Sequence, residues 1–162
     1  MNLVCNISDF DIENMFFLEI KKNIIITGTF TKIIYSTINV IFNGIYLIFP
    51  IIEQTCESSK NGGKYNISTF SILNKNNINI IKELNRIEHT IIEYAKDYFN
   101  INKMNIYSLR NQLKQGNIKI YNSQYSITDD SPPSLTPESC IIKISGIWEN
   151  EQNIGITYKF IK

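Results

Sequence analysis

The first half of the chain alternates between apolar and polar positions. "MFFLEI" (15–20) passes through "KKN" into "IIITGTFTKIIYS" (24–36), with Thr27, Thr29 and Thr31 on one face and Ile26, Gly28 and Phe30 on the other. Period-two alternation predicts half-buried strands. A glycine inside such a run, Gly28, predicts a bulge or a sharp bend. "INVIFNGIYLIFPI" then sets Asn43-Gly44 between two β-branched and aromatic runs. That pattern predicts a two-residue type I′ hairpin, with Pro50 ending its second strand. A polar loop at 53–64 precedes a further strand over 65–73.

The period changes at Asn76-Asn77. Ile80, Leu84, Ile87, Ile91, Tyr94 and Tyr98 recur at steps of four and three, the apolar stripe of one long amphipathic helix. Asn76 or Asn77 suits its N-cap. A shorter helix follows over 105–115, with Ile106, Leu109 and Leu113 inward and Gly116 at its C-terminal turn. "NIKIY" (117–121) reads as a strand, and "TDDSPPSLTPES" (128–139) as a Pro-punctuated loop. The last stretch, "CIIKISGIWENEQNIGITYKFIK", reads as a hairpin. Strict alternation puts Trp148 with Cys140, Ile142 and Ile144, and puts Tyr158 and Phe160 with Ile154 and Ile156. All three aromatics are therefore expected in the core, with Lys143 and Lys159 on the opposite face. The order of elements predicts a mainly β fold with helices. It suits an elaborated OB-like β-barrel with the long amphipathic helix packed on the sheet, as a single domain over 1–162.

Composition changes how the lysines are weighed. The chain holds 34 Ile, 21 Asn and 14 Lys but 2 Arg, the imprint of AT-rich codons, so lysine number alone says little about partners. The net charge of +1 gives no global case for a polyanion. The distribution says more. Residues 1–20 carry Asp9, Asp11, Glu13 and Glu19 with no base, while 98–128 carry Lys103, Arg110, Lys114 and Lys119 with no acid.

No pattern for catalysis or metal binding emerges. His89 is the only histidine, and its place within the long helix reads as a helix surface. A GxxxxGK[ST] loop is absent, and Asp129-Asp130 reads as a solvated acidic loop. Three distant cysteines make neither a disulfide framework nor a zinc knuckle. The acidic N-terminal stretch lacks the basic region of a secretion signal, and no apolar run spans a bilayer. An intracellular protein with no cofactor, no metal, no catalytic residue and no membrane partner is expected.

What remains is aromatic residues interleaved with lysine on strands: Lys32 with Tyr35, Tyr46 after the Asn-Gly turn, Lys119 with Tyr121 and Tyr125, and Lys143 and Lys159 on the terminal hairpin. Rings stack on bases at about 1–3 kcal/mol each, while lysines neutralise phosphates. Two stretches carry a resemblance. The first holds Gly28, Phe30, Tyr35 and Asn43-Gly44-Ile45-Tyr46-Leu47. The second holds Gly146-Ile147-Trp148-Glu149 and Gly155-Ile156-Thr157-Tyr158-Lys159-Phe160. They resemble segments of OB-fold-type single-stranded-DNA-binding replication proteins of large DNA viruses and linear plasmids. The resemblance implies a non-enzymatic protein that binds single-stranded DNA, or RNA, in viral or plasmid DNA replication. Lys32, Lys119, Lys143 and Lys159 would meet phosphates, and Tyr35, Tyr46 and Tyr121 would stack bases. The other reading is a viral structural or protein-interaction module that forms a homo-oligomer.

Overall fold

A computed structural model describes residues 4–25, 27–52, 55–58, 65–121 and 138–161. Ile26, Tyr125 and Asp129-Asp130 lie outside the described residues. The strands are β1 Cys5–Asn6, β2 Met15–Lys22, β3 Thr29–Ser36, β4 Ile41–Phe42, β5 Ile45–Ile51, β6 Thr55–Ser58, β7 Tyr65–Thr69, β8 Met104–Ile106, β9 Asn117–Tyr121, β10 Glu138–Glu149 and β11 Asn153–Ile161. Two helices, α1 Lys75–Phe99 and α2 Ser108–Lys114, interrupt them.

The protein is mainly β, with both helices packed on one side of one large mixed sheet. The sheet runs β1-β5-β10-β11-β9-β7-β6, and among the described residues no pairing closes it into a barrel. β10 organises it. One edge of β10 pairs with β5 along Glu138–Ile144, then changes partner and pairs with β3 along Gly146–Glu149. The other edge pairs antiparallel with β11 from Ile141 to Glu149. The far edge of β11 also divides, between β8 at Asn153–Gly155 and β9 at Phe160–Ile161. β2 and β4 hang on β3.

The inner face is an apolar layer. Ile33, Tyr35, Ile45, Leu47, Phe49, Ile118, Ile120, Ile142, Ile144, Ile156 and Phe160 are all buried there. Each removes on the order of 1.5–3 kcal/mol of apolar side chain from water. α1 covers them with Leu84, Ile87 and Ile91 of the expected stripe and also with Ile92 and Ala95, which lie outside it. The ends of that stripe differ: Tyr94 is partly buried and Tyr98 is 63% exposed. The N-cap is Asn74, whose side chain accepts from the Asn76 amide at 2.9 Å. Asn77 is instead buried, tying Ile52 N, Ile52 O and Ser71 O to the helix. Asn100 closes α1 in the left-handed region at φ 53°, where Asn is tolerated.

Several local expectations change. Asn43-Gly44 is not a hairpin turn: β4 pairs with β3 and β5 pairs with β10, so the dipeptide links strands with different partners. Only Gly44 has positive φ, 109°, whereas a type I′ turn needs both residues there. A Cβ at Gly44 would stand 2.8 Å from the Ile144 carbonyl, so the glycine serves the approach of β5 to β10. The tight turn lies earlier, where the Thr37 amide bonds the Val40 carbonyl at 2.9 Å between β3 and β4. Gly28 lies in the turn before β3, not inside a strand. β5 continues through Pro50 to Ile51. β6 forms within the stretch read as a polar loop, and β8 within the stretch read as the second helix.

Candidate nucleic-acid interface

The sheet face away from the helices carries most of the residues singled out by sequence. Alternation along β5, β10, β11 and β9 puts Tyr46, Lys143, Lys159 and Lys119 outward, opposite buried neighbours. The registers put them side by side. Tyr46 pairs with Lys143, and Lys143 pairs with Lys159. The parallel ladder joins Phe160 to Ile120, so Lys119 stands beside Lys159 one step back. Three lysines thus share the outward face of three adjacent strands, Lys143 and Lys159 directly paired and Lys119 one residue before the β9–β11 ladder begins. Like charges directly opposite on a sheet disfavour pairing. At ~4 Å two unit charges repel by about 1 kcal/mol even in water. Lys143 is steadied on one side by the Tyr46 ring, whose centroid is 5.0 Å from its Nζ. Among the described side chains that point outward from β3, β5, β9, β10 and β11, none is acidic. Glu149, at the end of β10, is engaged by Thr29 at 2.8 Å and Lys103 at 2.7 Å.

Neighbouring rows supply rings and a fourth charge. Lys32 pairs with Gly146, and Phe30 with Trp148, on the same outward parity of β3. Lys21 of β2 pairs with Phe30 in turn. Tyr121, 42% exposed, follows Lys119 outward on β9. The face therefore gathers Lys32, Tyr46, Lys119, Tyr121, Lys143 and Lys159. Tyr35 is placed elsewhere. It shares the inward parity of Thr31 and Ile33, is 2% exposed, stacks on Phe10, and its hydroxyl accepts from the Asp11 amide at 3.0 Å. A ring so enclosed has no face for a base.

Trp148 is the residue that sequence reasoning put on the wrong side. The β10–β11 register shifts between Ile144 and Gly146, a bulge at Ser145. The bulge inverts the alternation, so Ile147 enters the core and Trp148 turns outward, half-buried. The signal for it was Ser145-Gly146, a small pair in an otherwise β-branched strand. Phe160 is in the core as expected. Tyr158 is inward and partly buried, its hydroxyl donating to Gln112 Oε1 of α2 at 2.7 Å. Burial, helped by the charge of Glu88 and opposed by a bond to Ser108, pushes the Tyr158 hydroxyl up to about 12, so it stays protonated at neutral pH. His89 lies on the exposed side of α1, where its Nδ1 meets the Tyr107 hydroxyl at 2.8 Å.

Among the described residues no three His, Cys, Asp or Glu side chains cluster as metal ligands, and no helix is long and apolar enough to cross a membrane. Comparison of the chain with protein-family models, with curated proteins and with solved structures finds no match to any of them.

Proposed function

We propose that this protein binds single-stranded nucleic acid on the outward face of its sheet, as a non-enzymatic factor of viral or plasmid DNA replication. The observation that carries the reading is the row Lys143–Lys159–Lys119, flanked by Tyr46, Tyr121 and Trp148 and free of outward acids on its strands. Repulsion between the paired Lys143 and Lys159 is relieved when a phosphate intervenes, and exposed rings accept bases of any sequence. The reading rests on this surface chemistry and needs no closed OB-like barrel. The test is fluorescence anisotropy of a labelled ~30-nucleotide poly(dT), at low and moderate salt, with duplex as competitor. Tight binding that weakens steeply with salt and resists duplex supports the reading. Absence of binding at low salt removes it.

One observation favours a second reading, a homo-oligomer. Among the described residues β2 pairs only with β3, and it exposes Phe16, Leu18 and Ile20 at 54%, 43% and 48%. An apolar edge strand of this kind invites pairing with another copy. Light scattering without nucleic acid distinguishes the two: a defined assembly that Ile20→Lys dissolves supports it, and a monomer at the highest soluble concentration excludes it.

A further inference from the structure

Two aromatic rings on the outward face rest on glycines. Phe30 of β3 and Trp148 of β10 are partners in the register, and Trp148 in turn opposes Gly155 of β11. The indole crosses onto β11, where a Cβ at Gly155 would stand 2.8 Å from its Cζ2 and 2.9 Å from its Cε2. The Phe30 ring leans along β10 instead. A Cβ at Gly146 would stand 2.6 Å from its Cζ and 2.9 Å from its Cε2, at a point the Thr31 carbonyl also crowds. Neither site admits a side chain, so each glycine is a floor for a ring. Both rings are half-buried, as rings with one side on the backbone and the other toward solvent should be.

The indole is also set in place before any ligand arrives. Its Nε1 donates to the Ile156 carbonyl at 3.2 Å, so its one polar atom is satisfied within the sheet and binding need not order it. Cations stand beside the rings. The row Phe30–Trp148–Gly155 is followed two residues on by Lys32–Gly146–Thr157, and beyond the bulge by Tyr46–Lys143–Lys159. Tyr46 offers less ring surface than these two, because Lys143 Nζ lies over it at 5.0 Å from the centroid. Rings set among cations match unpaired bases joined by phosphates. An acidic peptide would use the cations and leave the rings idle, and a duplex keeps the faces of its bases against one another.

We infer that Phe30 and Trp148 form a platform on which two bases of one strand of DNA stack, whatever those bases are, with Gly155 positioning the indole. The inference rests on the single-strand reading of this face and states which rings carry the stacking.

Trp148 is the only tryptophan of the chain, so intrinsic fluorescence reports from the platform alone. The protein is titrated with ~30-nucleotide oligo(dT) and oligo(dC), and with an abasic oligodeoxynucleotide of equal phosphate number. Oligo(dT) and oligo(dC) should quench saturably and alike. The abasic strand should bind more weakly and without quenching. Phe30→Leu should weaken oligo(dT) binding roughly tenfold, the loss of one stacked base, and leave the affinity for the abasic strand unchanged. That second affinity separates a lost ring from a lost fold. Gly155→Ala should lift the indole, changing its emission in the free protein and weakening oligo(dT) alone. Equal quenching by the abasic strand overturns the platform, as does a Phe30→Leu effect that is absent or the same for both strands. Discrimination between oligo(dT) and oligo(dC) beyond roughly tenfold overturns its indifference to the base. Unchanged emission and affinity in Gly155→Ala overturn the part given to that glycine. Oligo(dT) binding without quenching overturns the platform and leaves the face. No binding at low salt overturns both.

Discussion

Glu88 shows how a single buried side chain can hold two helices. It is 0% exposed within α1, yet its carboxylate accepts from the backbone amides of Leu109 at 3.0 Å and Arg110 at 2.9 Å. Those amides open α2, whose own N-cap residue, Tyr107, supplies no side-chain bond. Glu88 therefore caps α2 from another helix. Burial raises its pKa above 4.5, while the two amide bonds and the charge of Arg110 pull it back. With the folded value above the unfolded one, its contribution to stability is complete below pH 4.5 and is lost as pH rises through the folded pKa. Glu88→Gln resembles the protonated carboxyl in shape and acceptors, so it should lie within about 0.5–1.5 kcal/mol of the parent at the acidic end. Because the variant has no carboxyl to titrate, the difference between the two proteins should shift in the variant's favour as pH rises through the raised pKa. Urea unfolding over a pH series measures it, and a gap independent of pH would contradict the argument. None of this capping was legible beforehand, because Leu109 and Arg110 lie 21 and 22 positions beyond Glu88. Tyr35 was misread as a base-stacking ring, although alternation along β3 puts it with Thr31 and Ile33 on the face opposite Lys32.

At the level of elements, the bulge at Ser145 decides which side of the sheet Trp148 occupies. Deleting Ser145 makes the ladder continuous without moving a side chain to the other face, because Ile144 and Gly146 already oppose the adjacent residues Tyr158 and Thr157. Trp148 emission should therefore be unchanged both in the deleted chain and in Ser145→Ala, which should stay within about 0.5 kcal/mol of the parent. A blue shift of Trp148 emission in the deleted chain would refute the bulge as the source of its outward parity. Long, strongly periodic elements were readable from sequence: α1 from its stripe, β9, and the β10–β11 hairpin from their alternation. α2 was readable through Leu109, Leu113 and Gly116. The short strands were not. β6 is polar and β8 has three residues, so neither shows a period, and each exists because a neighbour offers it an edge. Asn43-Gly44 misled because local turn preference was overridden by the separate partners of β4 and β5.

The whole molecule holds a charge contrast that its net charge of +1 conceals. Lysines from β3, β9, β10 and β11 share one face, although they come from distant parts of the chain. Binding to a single strand loses about 0.7 in log K per log salt for each phosphate neutralised. Replacing Lys119, Lys143 and Lys159 together by Gln should therefore flatten the salt slope by about 2. Anisotropy titrations at four salt concentrations measure it, and an unchanged slope would place binding elsewhere. The outward parity of these lysines could be read strand by strand. Their alignment in one row could not, because it depends on which strands are neighbours, and alternation carries no information about that.

The divided edge of β10 also sets the order in which the chain can acquire its sheet. β3 and β5 both end within the first third of the chain, and both wait for β10; Thr29 and Glu149, bonded in the fold, stand 120 positions apart. During synthesis at roughly 5–20 residues per second, these isoleucine-rich strands leave the ribosome several seconds before their partner. Pairings this distant in sequence are slow to form, since loop closure precedes any gain from contact. Until β10 arrives, β3 has β2 and β4 beside it and β5 has β1, but the edges they present to β10 stay open, so the yield of folded protein should depend on chaperone supply more than its modest size suggests.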